Sequence, residues 1–325
     1  MRSILSVVVS VLGLATAAFI SPAAAQNYPS KPIHILIPYA PGGIADIAAR
    51  NIGEKLTAAW GQQVVVDNRP GGNGFIAMSA AAKAAPDGYT LVMATAGDLT
   101  LAPALFKDIP YDVQKDFTFI SLVSDAPLVL AANTQSPFKS VADVIAGGKA
   151  QPGRISISSP GNGSNNHLVI EWMGLSTGTK FQHIPYKGGA PAAAGLAGGD
   201  VPLGVLASSS VAPHVASGRV VVLANTSAKR SKINPEWPTL QEQGVKGIDA
   251  SNWTALLAPK GAPQAVVDKL HAELVKILAM PDVKARFAGG GVETIGSTPA
   301  ELQARVKDEA ARFLQVVQQS GMKAD

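Results

Sequence analysis

Ile33-His34-Ile35-Leu36-Ile37-Pro38-Tyr39-Ala40-Pro41-Gly42-Gly43-Ile44-Ala45-Asp46 is the stretch whose reading decides the fold. An apolar run ends in Pro41-Gly42-Gly43, and residues at helical spacing follow at once: Ile47, Ala48, Ala49, Ile52 and Leu56. The pattern predicts a strand, a glycine turn and a helix. Such a turn leaves backbone N–H groups unpaired at a helix N-terminus, where the macrodipole adds positive potential. That arrangement suits a carboxylate or a phosphate. Asp46 is expected to organise the loop, paired with Arg50 at i+4, because a carboxylate facing an anion repels it.

Working outward, short β-type runs alternate with helical patterns over the rest of the chain, which predicts an α/β fold with mostly parallel sheets. The first unit reads as strands over 33–38, 64–67 and 90–94, with helices over 44–60 and 75–84. A nearly uncharged, strand-like stretch over 117–132 is a candidate crossing between lobes. The alternation then restarts, with strands over 154–158, 181–185, 201–206 and 220–226 and helices over 140–149, 167–175, 191–198 and 211–217. The apolar stretch 253–258 can carry the chain back. Helices over 263–280 and from Thr298 follow, the latter opened by a capping-box pattern: Thr298, Pro299 and Glu301. The plan is therefore two lobes around a cleft: 26–124 plus 252–325, and 125–251.

A second glycine loop, Ser159-Pro160-Gly161-Asn162-Gly163-Ser164-Asn165-Asn166-His167, also follows a strand and precedes a helix. Its small polar side chains offer donors without bulk; Ser164 or Asn165 also suits a helix N-cap. Asn166 stands where a dinucleotide fingerprint needs its third glycine. Ligands in open α/β sheets lie beyond the carboxyl ends of the strands, so the two loops can face each other across the cleft.

Residues 1–25 read as a secretory leader: Arg2, an apolar stretch over 4–20, then Ser21-Pro22-Ala23-Ala24-Ala25 as a small-residue cleavage site. The apolar run is short for a membrane span, so a soluble mature chain starting at Gln26 in the periplasm is expected. The chain has no Cys, which excludes disulfides, thiolate chemistry and Cys–zinc sites. The formal charge of +4 carries no Lys/Arg cluster, which argues against nucleic acid. No G-x-S-x-G, H-E-x-x-H, Walker or EF-hand pattern occurs, and the five His are scattered with no pair at metal spacing. No metal and no cofactor are expected. Ser164 with His167 is the single hint of a nucleophile and base; a capping role fits that spacing better. Arg69, in the turn Asn68-Arg69-Pro70-Gly71-Gly72-Asn73-Gly74, is expected to pair within its own lobe.

Several motifs occur in order: Tyr39-Ala40-Pro41-Gly42-Gly43 with Asp46, Ala49 and Arg50; Asn68-Arg69-Pro70-Gly71; Pro86-Asp87-Gly88-Tyr89-Thr90-Leu91; Gly161-Asn162-Gly163-Ser164 with His167-Leu168; Pro185-Tyr186-Lys187-Gly188-Gly189-Ala190-Pro191; Thr226-Ser227-Ala228-Lys229-Arg230; and Leu257-Ala258-Pro259 with Gly261 and Pro263. Together they resemble the Bug-type, or TctC-type, extracytoplasmic solute receptors of tripartite tricarboxylate transporters. The resemblance implies a type II, Venus-flytrap periplasmic binding protein that closes on a small carboxylate and meets a large and a small membrane subunit. It implies ligand contacts from Tyr39, Pro41, Gly42, Gly43, Ile44, Ala45 and Asp46 on one loop. It implies the same of Gly163, Ser164, Asn165, Asn166 and His167 on the other. Thr95, Ala96, Ala207 and Ser208 would line the distal part of the pocket. Many relatives are more polar where Pro202 and Leu206-Ala207 stand here, which points to an aromatic or otherwise apolar monocarboxylate. A monomeric, non-enzymatic receptor is the expectation. The alternatives are the same module reporting its ligand to a sensor kinase, and a periplasmic hydrolase using Ser164 and His167.

Overall fold

The computed structural model describes residues 28–324, so the expected leader and its cleavage after Ala25 lie outside the described residues. β1 (Ile33–Ile37) buries Ile33, Ile35, Leu36 and Ile37. After the Pro-Gly-Gly turn, α1 (Ile44–Trp60) buries Ala45, Ala48, Ala49, Ile52 and Leu56. It stops at Gly61, whose left-handed φ of 67° turns its N–H onto the Thr57 carbonyl. β2 (Val64–Asn68), α2 (Phe75–Ala82) and β3 (Thr90–Thr95) complete the first unit. Gly97–Leu101 forms a π turn that runs into the short α3 (Ala102–Leu105).

β4 (Phe117–Asn133) leads to the second unit: α4 (Val141–Ala150), β5 (Ser156–Ser159), α5 (Asn165–Thr177), β6 (Gln182–Pro185), α6 (Gly189–Gly198), β7 (Leu203–Ala207), α7 (Ser208–Ala216) and β8 (Val220–Asn225). The chain returns through β9 (Ser251–Pro259), α8 (Gln264–Ala279), α9 (Pro281–Gly289), β10 (Glu293–Thr294) and α10 (Pro299–Ser320).

The strands run in the order β2-β1-β3-β9-β4-β7-β5-β6. β1 is parallel to β2 and β3, and β5 is parallel to β6 and β7, so each glycine loop leaves the carboxyl end of its own parallel group. β4 joins the two groups. From Phe117 to Pro127 it pairs antiparallel with β9; from Leu128 onward its partners are β7 and β8. Ser251 pairs with Pro127, so the outward and return crossings lie side by side. Helices cover both faces of each group, which is why β1, β3, β4 and β7 are apolar almost throughout. On the first group α1 and α8 cover one face, and α2 with the start of α10 the other.

The outward crossing along β4 and the return along β9 pair at Pro127 and Ser251, and α10 packs on both groups. Its early residues Leu302 and Val306 pack on the first, whereas Phe313, Val316 and Val317, with Met322 just beyond the helix, are buried in the core of the second. Its apolar stripe is continuous at helical spacing, so periodicity alone cannot reveal a change of partner. Thr298 and Glu301 form the expected capping box. Leu101 likewise reaches the second core. The π turn, α3, α9 and β10 were not legible beforehand, because Gly97, Pro103 and Pro281 interrupt any long periodic run.

Candidate ligand-binding site

The first loop is held from within its own lobe. Gly42 adopts φ +90°, open to glycine, and Gly43 is the N-cap of α1 with no side chain to cap it. The first intrahelical bond is Ile47 N–H to Gly43 O, 3.0 Å, so the amides of Ile44, Ala45 and Asp46 precede the helical ladder. The Asp46 carboxylate accepts from Gly42 N–H at 2.9 Å, from Arg50 Nε at 3.0 Å and from Asn68 Nδ2 at 3.0 Å. Burial works against its charge, yet the bonds from Arg50, Gly42 and Asn68 hold it below the ordinary carboxylate range. Asp46 is thus the organiser that its spacing from Arg50 predicts. Arg69 pairs with Asp67, also in its own lobe.

The second loop has a comparable frame. Ser164 is the N-cap of α5: its hydroxyl accepts from His167 N–H at 3.2 Å and donates to Gly161 O at 2.7 Å. The Gly161 N–H donates to Ser159 Oγ at 3.1 Å, and the Gly163 N–H to His167 Nδ1 at 3.4 Å. The His167 ring stacks on His183 with centroids 3.8 Å apart. Asn166 Nδ2 donates to Val205 O at 2.9 Å, and Asn165 Nδ2 reaches toward Asn252 Oδ1 at 3.3 Å. Both asparagine side chains are thus anchored to protein, while their backbone amides stand ahead of the first helical bond, Leu168 N–H to Ser164 O.

These two helix N-termini border one cavity of about 630 Å³. Of the residues expected there, Tyr39, Gly43, Ile44, Ala45, Asp46 and Thr95 line it from the first lobe, and Gly163, Ser164, Asn165 and Asn166 from the second. Pro41 and Gly42 form the exposed outer turn of the first loop and are not part of the lining. Ala96 is fully buried in the first core. His167 supports the second loop from behind through Gly163 and the His183 stack. Ala207 packs against the second core, and Ser208 is buried with its hydroxyl toward Gly291 O at 3.3 Å. Neither Ala207 nor Ser208 reaches the lining, and Pro202 and Leu206 do not either.

The apolar wall comes from elsewhere: Ala102, Leu105 and Phe106 after the π turn, and Ala324 beyond α10. Asn73, Gly97, Pro160, Asn162, Gly189 and Asn252 complete the lining. Among the described residues that line it, Asp46 is the sole charged side chain, and its oxygens already serve Gly42, Arg50 and Asn68. Among the described residues there is also no group of three or more His, Asp and Glu able to hold a metal ion.

Sequence reasoning also missed Asp98. Its side chain is fully buried just behind the lining. It accepts from Tyr39 OH at 2.9 Å, from Thr95 N–H at 2.8 Å and from Thr95 Oγ1 at 2.7 Å, so it sets the position of two cavity residues. Burial pushes its carboxyl up to about 6. The folded state therefore holds this proton more tightly than the unfolded chain. The stability that this contributes is complete below about pH 4 and is lost as pH rises through about 6. Urea titrations at pH 5 and pH 7.5 are expected to show lower stability at the higher pH. Asp98→Asn is expected to remove most of that site's share of the slope. An unchanged slope in the variant would refute the assignment.

A second expectation concerns Ser164. Ser164→Ala removes a cap and is expected to lower stability by about 0.5–2 kcal/mol, measured by urea unfolding. A loss below that range would mean that the cap contributes nothing.

Two lobes joined by adjacent crossing strands, with two helix N-termini bordering a cavity between them, define the class of two-lobed binding proteins. The comparisons with known proteins make the class specific. The description "Tripartite tricarboxylate transporter family receptor" belongs to the family model that matches residues 48–322, and the chain is a member of that family. BugT of Bordetella pertussis is 37% identical over 311 residues, covering 95% of each chain. An R. palustris protein solved with adipate is 31% identical, with a TM-score of 0.79 over 91% of this chain and 99% of that one. MatC of Rhodopseudomonas palustris, solved with bound malate, is 28% identical, with a TM-score of 0.75 over 89% of this chain and all (100%) of that one. No helix among the described residues is long and apolar enough to cross a membrane.

Proposed function

We propose that this protein is a monomeric, non-enzymatic periplasmic receptor that captures a small carboxylate and delivers it to the large and small membrane subunits of a tripartite transporter. The observation that carries the reading is the convergence of two helix N-termini, from Ile44 and from Asn165, on one cavity. Each offers amides ahead of its helical ladder and the positive end of its dipole to an anion. An anion bound this way needs no arginine or lysine, and none lines the cavity among the described residues. A water between carboxylate and amide serves nearly as well as a direct bond. The similar proteins solved with adipate and malate support the carboxylate class.

Lobe closure about the adjacent crossings at Pro127 and Ser251 would bring the two clamps onto the ligand. The lobes are 26–124 plus most of 252–325, and 125–251, with the end of α10 carried by the second. The body of the ligand would lie against Ala102, Leu105 and Phe106. That surface favours an aromatic or otherwise apolar monocarboxylate.

The test is a thermal-shift panel of the mature protein with di- and tricarboxylates, acidic amino acids, and aromatic and aliphatic monocarboxylates. A ligand at a hundred times its Kd adds about 2.7 kcal/mol to the folded state. The expected result is a rise in Tm with the apolar monocarboxylates. A shift with citrate or glutamate and none with benzoate-type acids would overturn the apolar assignment. No shift with any acid, from protein shown by mass spectrometry to carry no copurified ligand, would overturn the carboxylate reading.

A further inference from the structure

The chain beyond α10 takes part in the cavity. Gly321, at φ +69°, reverses the chain after the helix. Met322 is then buried in the second core, and its N–H is held by Ser320 Oγ at 3.1 Å. This anchor places Ala324 on the cavity wall. Ala324 Cβ lies 3.2 Å from where a Cβ on Gly163 would stand, and Leu105 Cδ1 lies 3.8 Å from the same point. Three segments far apart in sequence therefore close on one spot: the second clamp loop, the end of α3 and the residues after α10. All the groups meeting there are apolar or glycine. They give a ligand contact and a limit of size, but no charge partner.

We propose that Leu105 and Ala324 form the wall that sets how long a ligand this receptor accepts, with the segment 322–324 as its adjustable part. The proposal rests on the reading that the cavity takes a small carboxylate. Once the carboxylate is fixed by the two clamps, each further methylene of the ligand must find room beside this wall. A methylene that fits gains a few-fold in affinity, and one that meets Ala324 gains nothing. The side chain at 324 then decides selectivity from its place beside the second clamp loop.

The experiment is calorimetric titration of the wild-type protein, Ala324→Trp and Leu105→Ala with straight-chain mono- and dicarboxylic acids of increasing length, after matching melting curves show that each protein is folded. Ala324→Trp narrows the cavity at a site tied to the fold only by its neighbours. It is expected to weaken the longest acid bound by the wild type by about tenfold, and the shortest bound acid by clearly less. Leu105→Ala is expected to do the reverse, extending tight binding to an acid longer by one or two methylenes. If the wild type binds acids and either folded variant keeps the same length profile, the proposal fails while the carboxylate reading stands. If no acid binds any of the three proteins, that reading fails and takes this proposal with it.

Discussion

Glu309→Ala is expected to lower the stability of the protein by about 1–3 kcal/mol, because it takes the acceptor from a buried donor. Glu309 is only 2% exposed. Both its oxygens accept from Trp253 Nε1 at 3.0 Å, one of them also accepts from Thr100 Oγ1 at 2.9 Å, and Arg305 Nε lies 3.6 Å away. Arg305 in turn donates to Asp125 Oδ2 at 2.9 Å and to Ser251 Oγ at 3.0 Å, and its guanidinium lies over the Trp253 ring. These partners belong to β4, β9, the π turn and α10, the elements that run between the lobes. Removing the carboxylate leaves the Trp253 Nε1–H unpaired inside the protein and takes one partner from Arg305, whereas Thr100 Oγ1 keeps Ala96 O at 2.7 Å.

Desolvation, the dominant effect, pushes the Glu309 carboxyl up to about 7, against the pull of Arg305 and of the Trp253 and Thr100 donors. The proton is therefore held more tightly in the folded state. The associated stability is complete below about pH 4.5 and is lost as pH rises through about 7. Glu309→Gln, which resembles the protonated form, is expected to cost less at pH 6 than Glu309→Ala. Urea unfolding followed by tryptophan fluorescence measures both. An Ala variant within 1 kcal/mol of the wild type, on the order of an ordinary surface change, would contradict the role assigned to Glu309.

Gly163→Val is expected to weaken binding of the best panel acid by at least about a hundredfold. Gly163 holds φ +68°, where a β-branched residue is a genuine outlier. Such strain costs on the order of 1–3 kcal/mol when the surroundings enforce it. The new Cβ would also stand 3.2 Å from Ala324 Cβ. The loop can relieve both only by moving, and movement displaces the Ser164, Asn165 and Asn166 amides from the cavity. Gly43→Ala is the matched comparison. Gly43 lies at φ −76° with open space around its Cβ position apart from Ala40 O at 3.8 Å, so its effect on affinity is expected to be much smaller. Calorimetry with one acid and the three proteins reads the difference. Equal affinities for wild type and Gly163→Val would show that the second loop does not clamp the ligand.

Much of the fold was legible because each signal was local. The span of α1 was read from the helical spacing that follows Pro41-Gly42-Gly43, and the structure stops it at Gly61. β4 declared itself by a long run free of charge except Asp125, a residue later found bonded to Arg305. The clamp loops were readable for the same reason: glycines, small polar residues and a helix start lie within a few residues of each other. The opposite wall was not. Leu105, Asn252 and Ala324 meet beside the second loop only because β4, β9 and α10 bring distant segments together, and no periodicity records such a meeting. Asp98 was hidden differently. It sits in a π turn between Gly97 and Pro103, without a helical pattern to orient it, and its role depends on a tyrosine 59 residues earlier in the chain. The expectation that Ala207 and Ser208 line the cavity came from resemblance alone. Ser208, at the start of α7, packs against Gly291 and is not among the residues that line the cavity.

The central claim is that the backbone amides of two helix N-termini hold the ligand. A crystal structure of the protein with the acid that gives the largest thermal shift tests it most directly. The account predicts a carboxylate oxygen at about 3 Å, directly or through one water, from the amide of Ile44 or Ala45 and from that of Asn165 or Asn166. A carboxylate seated outside this cavity, or held there by side chains with both sets of amides unengaged, would contradict it.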